Sequence, residues 1–490
     1  MKLYRHRIIQ VYILFILIVL PVIYHNSYID IRDIKVTFFW KAFTIAGILI
    51  VLSGLYDLIG KIKQEGMSVL KKIFTFDHSD LFLLGFGLIT LLSCLTSRYG
   101  ILAFTGALTF KVGGYLLLAL IFMYFVIAHS HEDYPHIAYI WALPVLFLEL
   151  TAILNSLDID PLHMTLPTMT LSDKMYFVST IGHIDYLSEY FCLFIPFYIV
   201  HLIKADKRIE KIVYSIIVFL GYMASLVIRA NGLMLGCLFS LFVILIYSLN
   251  HREVIKHYLY QLYLLVIASL FMDLINHLFI IPYKQMPLDT LPALFVNKGY
   301  IVLAVVTTLC LFIIHKLDEE QISKVCRILK KILIILFIIG MITWFGFAIY
   351  CTLNSVQLAI FNNRINIWRG CIESFKHMSI REKLIGVGPN CVSDMLNKYA
   401  VYQGVSRTTA HNEILEYFLS TGLLGGFCYL AFWILIIKGM IHKASNKNVM
   451  AYLAGFSAYV GISLVVGPSF LNTVTLFTFL AIAKASLNEV

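Results

Sequence analysis

Apolar residues run along this chain in long blocks, and short polar segments separate most of the blocks. A helix needs about 20 mostly apolar residues to cross the hydrocarbon core of a bilayer, because its backbone groups can be satisfied there only within the helix. The pattern predicts about fourteen such helices. They cover residues 8–24, 36–56, 81–96, 113–128, 135–155, 185–203, 209–228, 232–249, 258–279, 299–315, 329–351, 412–438, 449–466 and 473–486. We therefore expect an all-α polytopic membrane protein.

One polar stretch is much longer than the others and interrupts this pattern between predicted helices 11 and 12. Residues 363–416 are rich in Arg and Lys, carry a Gly-Val-Gly-Pro sequence in the middle and have His411-Asn-Glu near their end. Functional residues concentrate in such loops when a rigid scaffold holds them. The pattern divides the chain into helices 1–11 over residues 1–351, a loop over 352–411 and helices 12–14 over 412–490.

Composition and charge agree with a membrane protein. Hydrophobic residues make up 60% of the chain and charged residues only 13%, far from the average of soluble domains. The net charge of +10 would suggest nucleic acid in a soluble protein, but here its distribution over the loops matters more. Lys and Arg concentrate in alternate loops, such as 61–72, 204–211 and 316–331. This predicts cytoplasmic termini, an extracytoplasmic long loop and no nucleic-acid partner.

Two arginines lie at predicted helix ends on the outer side. Arg229 stands in a very short turn between two spans, and Arg364 begins Arg-Ile-Asn-Ile-Trp-Arg just outside helix 11. A guanidinium offers a rigid fork of donors that matches phosphate oxygens, and a charge at this depth usually marks a site. Structural interpretations stay open, because Arg229 can snorkel to the surface and Arg364 can meet lipid headgroups.

His411 precedes predicted helix 12 by one residue, at the outer end of the chain's long loop. The N-terminus of a helix carries partial positive charge, which disfavours the imidazolium and keeps the ring neutral. A neutral histidine is a natural general base, and Glu413 or Glu416 can orient it. A lone histidine at a membrane interface is also often structural, so its role depends on the residues around it.

Other polar residues give weaker signals. Lys111 lies in the outer turn after helix 3, where it is either a phosphate contact or an interfacial lysine. Glu149 and Glu189 fall within or near spans, as sites or as buried structural pairs. Residues 129–136 contain metal-ligand residue types but are predicted on the cytoplasmic side, where we expect a solvated loop. No metal site and no cofactor are predicted.

Several motifs follow one another in a fixed order around the long loop. They are Arg364-x-x-x-Trp368, Leu384-Ile-Gly-Val-Gly-Pro-Asn390, His411-Asn-Glu-x-Leu-Glu416 and Gly422-Leu-Leu-Gly425. This combination resembles the O-antigen ligase and polymerase family. Upstream, residues 179–186 stand where that family has a Gly-Asn-Pro-Asn type motif, and Ile228-Arg229 stands where it has Ser-Arg. His183, Ile184, Asp185 and Ile228 depart from those patterns, which bears on the acceptor or the branch of the family.

The resemblance implies a GT-C-like glycosyltransferase in the bacterial cytoplasmic membrane, acting on its outer face. Such enzymes move a glycan from an undecaprenyl-diphosphate carrier to a hydroxyl of a glycan, lipid or polymer acceptor, with inversion and without a metal. On this chain His411 would be the general base, and Arg229 and Arg364 would hold the diphosphate. Lys111, Glu413 and Glu416 would be supporting residues.

Two other classes of protein suit parts of the pattern. A flippase or transporter for lipid-linked oligosaccharides also has many spans and intramembrane charges, and a scaffold for envelope assembly needs no active site. Carriers place their charges near the bilayer midplane between two halves, whereas the strongest cluster here falls in one outer loop. This favours the transferase. Polymerisation of repeat units and ligation to another acceptor both stay open.

Overall fold

The chain is helical almost throughout in the computed structural model, which describes residues 2–66, 76–107, 110–130, 134, 136–278, 290–356, 358, 361, 364–398 and 408–489. Over these residues the strands form one short hairpin, in which Phe177–Val178 (β1) pairs antiparallel with Gly182–His183 (β2). Twelve helices of the described ranges are long and apolar enough to cross a membrane. The predicted all-α polytopic membrane fold is confirmed.

The helices are numbered in chain order, and two π-helical turns, Phe15–Val19 and Phe295–Gly299, interrupt them. They are α1 (Lys2–Leu14), α2 (Leu20–Val22), α3 (Ile31–Glu65), α4 (His78–Thr96), α5 (Ile101–Thr105), α6 (Gly114–Ala128), α7 (Ile137–Ser156), α8 (Leu171–Tyr176), α9 (Ile184–Ile203), α10 (Arg208–Ile228), α11 (Asn231–Ser248), α12 (Arg252–Leu278), α13 (Thr290–Leu294), α14 (Tyr300–Lys316), α15 (Glu319–Asn354), α16 (Arg364–His377), α17 (Ile380–Ile385), α18 (Val392–Lys398), α19 (Glu413–Ser420), α20 (Gly422–His442), α21 (Lys447–Ser463) and α22 (Phe470–Glu489).

Each predicted span contains a helix. The first, residues 8–24, continues through the π-helical turn Phe15–Val19, whereas predicted helix 12 is broken. Predicted helix 12, residues 412–438, consists of the short helix α19 and the span α20. Gly422 separates them with a φ of 71°, and a Cβ there would overlap the backbone of Leu384. The chain breaks here because the end of α17 lies against the bare backbone of the glycine. Among the other predicted spans, α6 has 15 residues and α21 has 17, shorter than an average bilayer crossing.

The chain forms two compact units. The first consists of Met1–Pro144, Gly370–Val449 and Gly467–Val490, and the second of Val145–Arg369 and Met450–Val466.

The first unit has α22 at its centre, packed against α6, while α4 packs against α20. The spanning part of α22 is buried along its whole length, although it contains several threonines. Their hydroxyls donate to the carbonyls one turn earlier, as Thr473 does to Ser469 at 2.7 Å and Thr478 to Val474 at 2.9 Å. A buried hydroxyl costs little when the helix itself supplies its acceptor.

The second unit is built around α9, which packs against α10 and α11. Gly236 of α11 lies where a Cβ would meet Cys192 of α9 and the backbone of Ala458 on α21. Without side-chain bulk at this position the three helices approach closely, which is how helices commonly associate in membranes.

Candidate functional site

Arg229 directly follows α10 and is the first residue of the tight connection to α11. Its backbone is left-handed, with φ 63° and ψ 17°. This conformation is uncommon for a residue with a side chain and is often found at functional sites. Asn231 begins the next helix, and its Oδ1 accepts the backbone N–H of Leu291 at 2.9 Å. The half-buried Arg229 is therefore held by a turn that is fixed at its far end.

Arg364 is the first residue of α16, and its Nε donates to the carbonyl of Val465 at 2.7 Å. The next turn of the helix is anchored by an apolar cluster of Cys351, Phe361 and Ile365, with Trp368 packed against it. Trp368 therefore contributes to protein packing. The hydrogen bond directs the Arg364 side chain toward the turn that follows α21.

The same turn also receives the Arg229 segment. Gly232, three residues after Arg229, lies so close to α21 and its turn that a Cβ would be 3.3 Å from Ile462 and 3.4 Å from Val465. Both predicted diphosphate-binding arginines thus belong to segments that contact Val465. The Arg229 segment contacts the side chain of Val465, and Arg364 binds the carbonyl of Val465. The sequence predicted each arginine separately, and a backbone acceptor leaves no signal in a sequence.

His411 lies in the first unit, together with Glu413, Glu416 and Lys111. It precedes α19, whose N-cap is Asn412, as Asn412 Oδ1 accepts the N–H of Leu415 at 2.9 Å. The backbone of His411 is left-handed, with a φ of 46°, and its N–H donates to Thr409 Oγ1 at 3.1 Å. The predicted position at a helix N-terminus holds for α19, but the membrane span α20 begins only at Gly422.

The two glutamates of α19 accept hydrogen bonds from groups close to His411 in the sequence or on α20. Glu416 is 3% exposed, and its Oε2 accepts the N–H of Ala410 at 2.8 Å. Burial raises the pKa of Glu416 to about 7, against the opposing effect of the Ala410 hydrogen bond. Glu413 is fully buried, and its Oε1 accepts the hydroxyl of Tyr429 on α20 at 2.5 Å. Glu416 thereby holds the chain just before His411, and Glu413 fixes the start of α19.

The Gly-Val-Gly-Pro loop lies on the other end of α19. The N–H of Val387 donates to Leu419 at 3.2 Å and that of Gly388 to Ser420 at 2.9 Å. Gly386 has a φ of 85°, and a Cβ there would overlap the Ser420 carbonyl oxygen. The first glycine of the motif is required by this close approach, since only glycine combines the positive φ with the absent side chain.

Lys111 lies in a loop that the same motif holds. Asn390, the last residue of the motif, accepts the N–H of Val112 at 3.3 Å through its side chain. Lys111 is half-buried and left-handed, with a φ of 58°. Within the first unit, the Lys111 loop, the glycine loop and the His411 helix therefore form one connected set of contacts.

Arg98 and Glu382 form an ion pair in the first unit that the motifs did not identify. Glu382 is 4% exposed. Burial opposes its ionisation, but hydrogen bonds from Ser379 and the nearby Arg98 guanidinium outweigh this and lower its pKa. Ser379 and Glu382 cap α17 reciprocally. The Ser-x-x-Glu spacing of this capping box was the available sequence signal for the position of Glu382.

The remaining candidates are not brought into these clusters by the described contacts. Glu149 and Glu189 are buried within the second unit. In the run 129–136, residues 131–133 and 135 lie outside the described part of the chain, and His129 Nε2 lies 3.2 Å from Asp80 Oδ2. Within the described ranges, no group of three or more His, Cys, Asp or Glu residues is arranged to hold a metal.

These features define a class of protein: an all-α multi-pass membrane protein with polar motifs fixed at helix ends. The model of the O-antigen ligase family matches residues 288–430. The resemblance to the O-antigen ligase and polymerase family is confirmed over this region, which contains Arg364, the glycine loop and His411, while Arg229 and Lys111 precede it. No curated protein matches the chain.

Proposed function

We propose that this protein is a membrane glycosyltransferase of the O-antigen ligase and polymerase type. It transfers a glycan from an undecaprenyl-diphosphate carrier to an acceptor hydroxyl on the outer face of the bacterial cytoplasmic membrane, for assembly of a surface polysaccharide. The observation that carries the proposal is that contacts on both sides fix the position of His411. Its backbone is left-handed, Ala410 before it is bound by Glu416, and Asn412 after it caps α19. It lies inside the region that matches the family.

His411 acts as the general base in this proposal. The acceptor oxygen attacks the anomeric carbon while the imidazole takes the hydroxyl proton. The bond from the anomeric carbon to the diphosphate oxygen breaks, and its electron pair leaves with the lipid diphosphate. Attack opposite to the leaving group inverts the anomeric configuration. Proton transfer by a positioned histidine typically contributes about 100- to 10,000-fold to a rate.

Arg229 and Arg364 bind the diphosphate and stabilise the charge that develops on it. Their support is the shared contact of both segments with Val465 in the second unit. Preorganised cations stabilise a leaving group most as its charge grows, so they accelerate the chemical step as well as binding. Their positive charge takes the role that a divalent ion has in many soluble sugar transferases, and the reaction is therefore expected to be metal-independent.

The test uses purified protein in nanodiscs, an undecaprenyl-diphosphate oligosaccharide, candidate acceptors and EDTA. Release of the lipid diphosphate and growth of the glycan are followed together. We expect wild-type protein to release carrier, and His411→Ala, Arg229→Ala and Arg364→Ala each to lose at least 100-fold in rate. A ladder of products identifies a polymerase, and a single transfer identifies a ligase.

Matched controls separate the site from general damage. His442→Ala and Arg327→Ala remove an exposed histidine and an exposed arginine from helices α20 and α15, and both should keep wild-type rates. Thermal unfolding identifies any variant that fails to fold. If no carrier is released with any acceptor, while labelled lipid-linked oligosaccharide crosses liposomes that contain the protein, the transferase proposal is wrong and the protein is a flippase.

A further inference from the structure

Four aromatic rings cluster around the β1–β2 hairpin, in the segment that departs from the family's motif. We call Tyr176, Phe177, His183 and Tyr186 the hairpin ring cluster. Its centre is His183, which stacks on Tyr176 with ring centroids 5.8 Å apart and 14° between the planes. Phe177 stands perpendicular to it at 6.0 Å, and Tyr186 lies 5.3 Å away.

The hairpin that carries these rings is anchored to α7. The N–H of Ser179 donates to Asn155 Oδ1 at 2.8 Å, and its hydroxyl lies 2.7 Å from that of Thr151. Pairing of Phe177 with His183 fixes the register. The rings are therefore ordered before any ligand arrives, and a preordered surface loses little entropy on binding.

The cluster offers one apolar face with polar groups beside it. Tyr176 is 45% exposed, and the side chains of His183 and Asp185 are 31% and 26% exposed. His183 Nδ1 accepts the N–H of Asp185 at 3.1 Å. The hydrogen of the neutral ring is then on Nε2, which is a donor. Asp185 adds carboxylate acceptors, while residues 176–186 contain no Lys or Arg.

A pyranose ring has the complementary chemistry. One of its faces presents C–H groups that stack on aromatic rings, and its edge presents hydroxyls that bind carboxylate oxygens and imidazole N–H groups. A lipid diphosphate does not match, because residues 176–186 carry no lysine or arginine and the nearby Lys174 is paired with Asp158 at 3.3 Å. Tyrosines at a membrane surface can also serve as anchors, but anchoring does not require an aromatic stack with an adjacent acidic group.

We propose that the hairpin ring cluster binds one pyranose unit of the glycan substrate and so helps to determine which sugar the protein accepts. This site lies where His183, Ile184 and Asp185 replace the Asn, Pro and Asn of the motif that the sequence resembles. Departure from a shared motif is expected where a substrate differs. The inference rests on the proposed function for the source of the sugar, which is either the donor or the acceptor.

Binding is tested without catalysis. Oligosaccharides released by mild acid from the host's surface polysaccharide are added to nanodisc-embedded protein, and saturation-transfer NMR reports contact. Tyr176→Leu removes the ring on which the sugar stacks and should weaken binding about 2- to 10-fold. Tyr176→Phe should keep it, because the ring remains. Tyr260→Leu is the control, since Tyr260 is 48% exposed on α12 of the same unit.

Asp185→Asn provides a second variant that preserves the shape of the segment. It should weaken binding by removing the charged acceptor for sugar hydroxyls, even if Tyr176→Leu fails to fold. Unchanged binding in folded Tyr176→Leu and Asp185→Asn would overturn the inference. Equal loss in Tyr260→Leu would also overturn it, because the effect would then follow from any exposed tyrosine.

Transfer assays identify the source of the sugar. In Tyr176→Leu, a higher KM for the donor alone assigns the site to the donor glycan, and a higher KM for the acceptor alone assigns it to the acceptor. Normal wild-type transfer with no effect of Tyr176→Leu on binding or KM would reject this site and leave the proposed function intact. If sugar binding depends on Tyr176 but no carrier is released, the sugar site stands and the proposed transferase function is rejected.

Discussion

Glu416 gives the most quantitative prediction, because its pKa lies near 7 while it holds the chain beside His411. Replacement by glutamine keeps the size of the side chain and an oxygen that can accept the Ala410 N–H, but it removes the charge. Comparing Glu416→Gln with the wild type therefore separates the contribution of the hydrogen bond to Ala410 from the free-energy cost of burying a charged carboxylate.

The magnitude follows from the raised pKa. The ordinary value is 4.5 and the folded value is about 7, and each pH unit of difference corresponds to about 1.4 kcal/mol. Below pH 4.5 the carboxyl is neutral in both states and its burial carries no charge penalty. As the pH rises to 7 the wild-type protein loses about 3 kcal/mol of folding free energy relative to Glu416→Gln, and the difference levels off at about 3.5 kcal/mol above pH 8.

Thermal unfolding in one detergent between pH 4.5 and 8 tests this reasoning. For a chain of this size, about 3 kcal/mol corresponds to a change of roughly 3 °C in Tm. We expect Glu416→Gln and wild type to unfold together at pH 4.5, and the variant to be more stable at pH 8. A Tm difference that does not change with pH, or one that favours wild type as pH rises, would refute burial of the charge as the cause.

Activity and Glu416→Ala complete the comparison. Alanine leaves the buried Ala410 N–H without its acceptor, which costs about 1–3 kcal/mol and frees the segment before His411. We expect carrier release to be largely kept in Glu416→Gln and strongly reduced in Glu416→Ala. Equal activity of the two variants would show that the hydrogen bond does not position His411.

Three further variants test contacts around the candidate residues of the two units. Gly386→Ala should lower Tm and carrier release, because its Cβ would overlap a backbone oxygen, whereas Gly340→Ala meets nothing within 4 Å and should not lower them. Arg98→Ala should destabilise by about 1–3 kcal/mol, since it removes the nearer of two arginines from the buried Glu382 and leaves Arg381 at 3.8 Å, and adding Glu382→Gln should restore most of the loss in thermal unfolding. Arg364→Lys loses the Nε donor and should reduce carrier release much more than binding of the acceptor, as separate KM and kcat measurements will show.

Local patterns predicted most of the fold, because each span is written in consecutive residues. The break at Gly422 was missed, since its cause is the approach of Leu384, which lies 38 positions earlier in the printed sequence. A run of apolar residues on both sides of a glycine looks the same whether or not another backbone lies against it. Helix existence is local, whereas such a break depends on tertiary packing.

The sequence named the candidate residues but not most of the contacts that hold them. His411, Arg229 and Arg364 were identified by type, position and motif, and their roles stay predictions. The hydrogen bond from Arg364 to the carbonyl of Val465 could not be predicted from the sequence, because every residue type has the same backbone carbonyl. The pairing of Glu382 with Arg98 was equally hidden, because the two residues lie 284 positions apart in the sequence.

The contacts around Ser420 have a consequence for how the protein is made. Its carbonyl accepts the Ser93 hydroxyl at 2.8 Å and the Gly388 N–H at 2.9 Å, and Ser93 is separated from Ser420 by 327 positions. Proteins are synthesised from the N-terminus at about 5–20 residues per second. Ser93 and Arg98 therefore reach the membrane well before residues 382–420 leave the ribosome. The helices of the first unit can insert early, but the set of contacts that positions His411 must be one of the last parts of the protein to form.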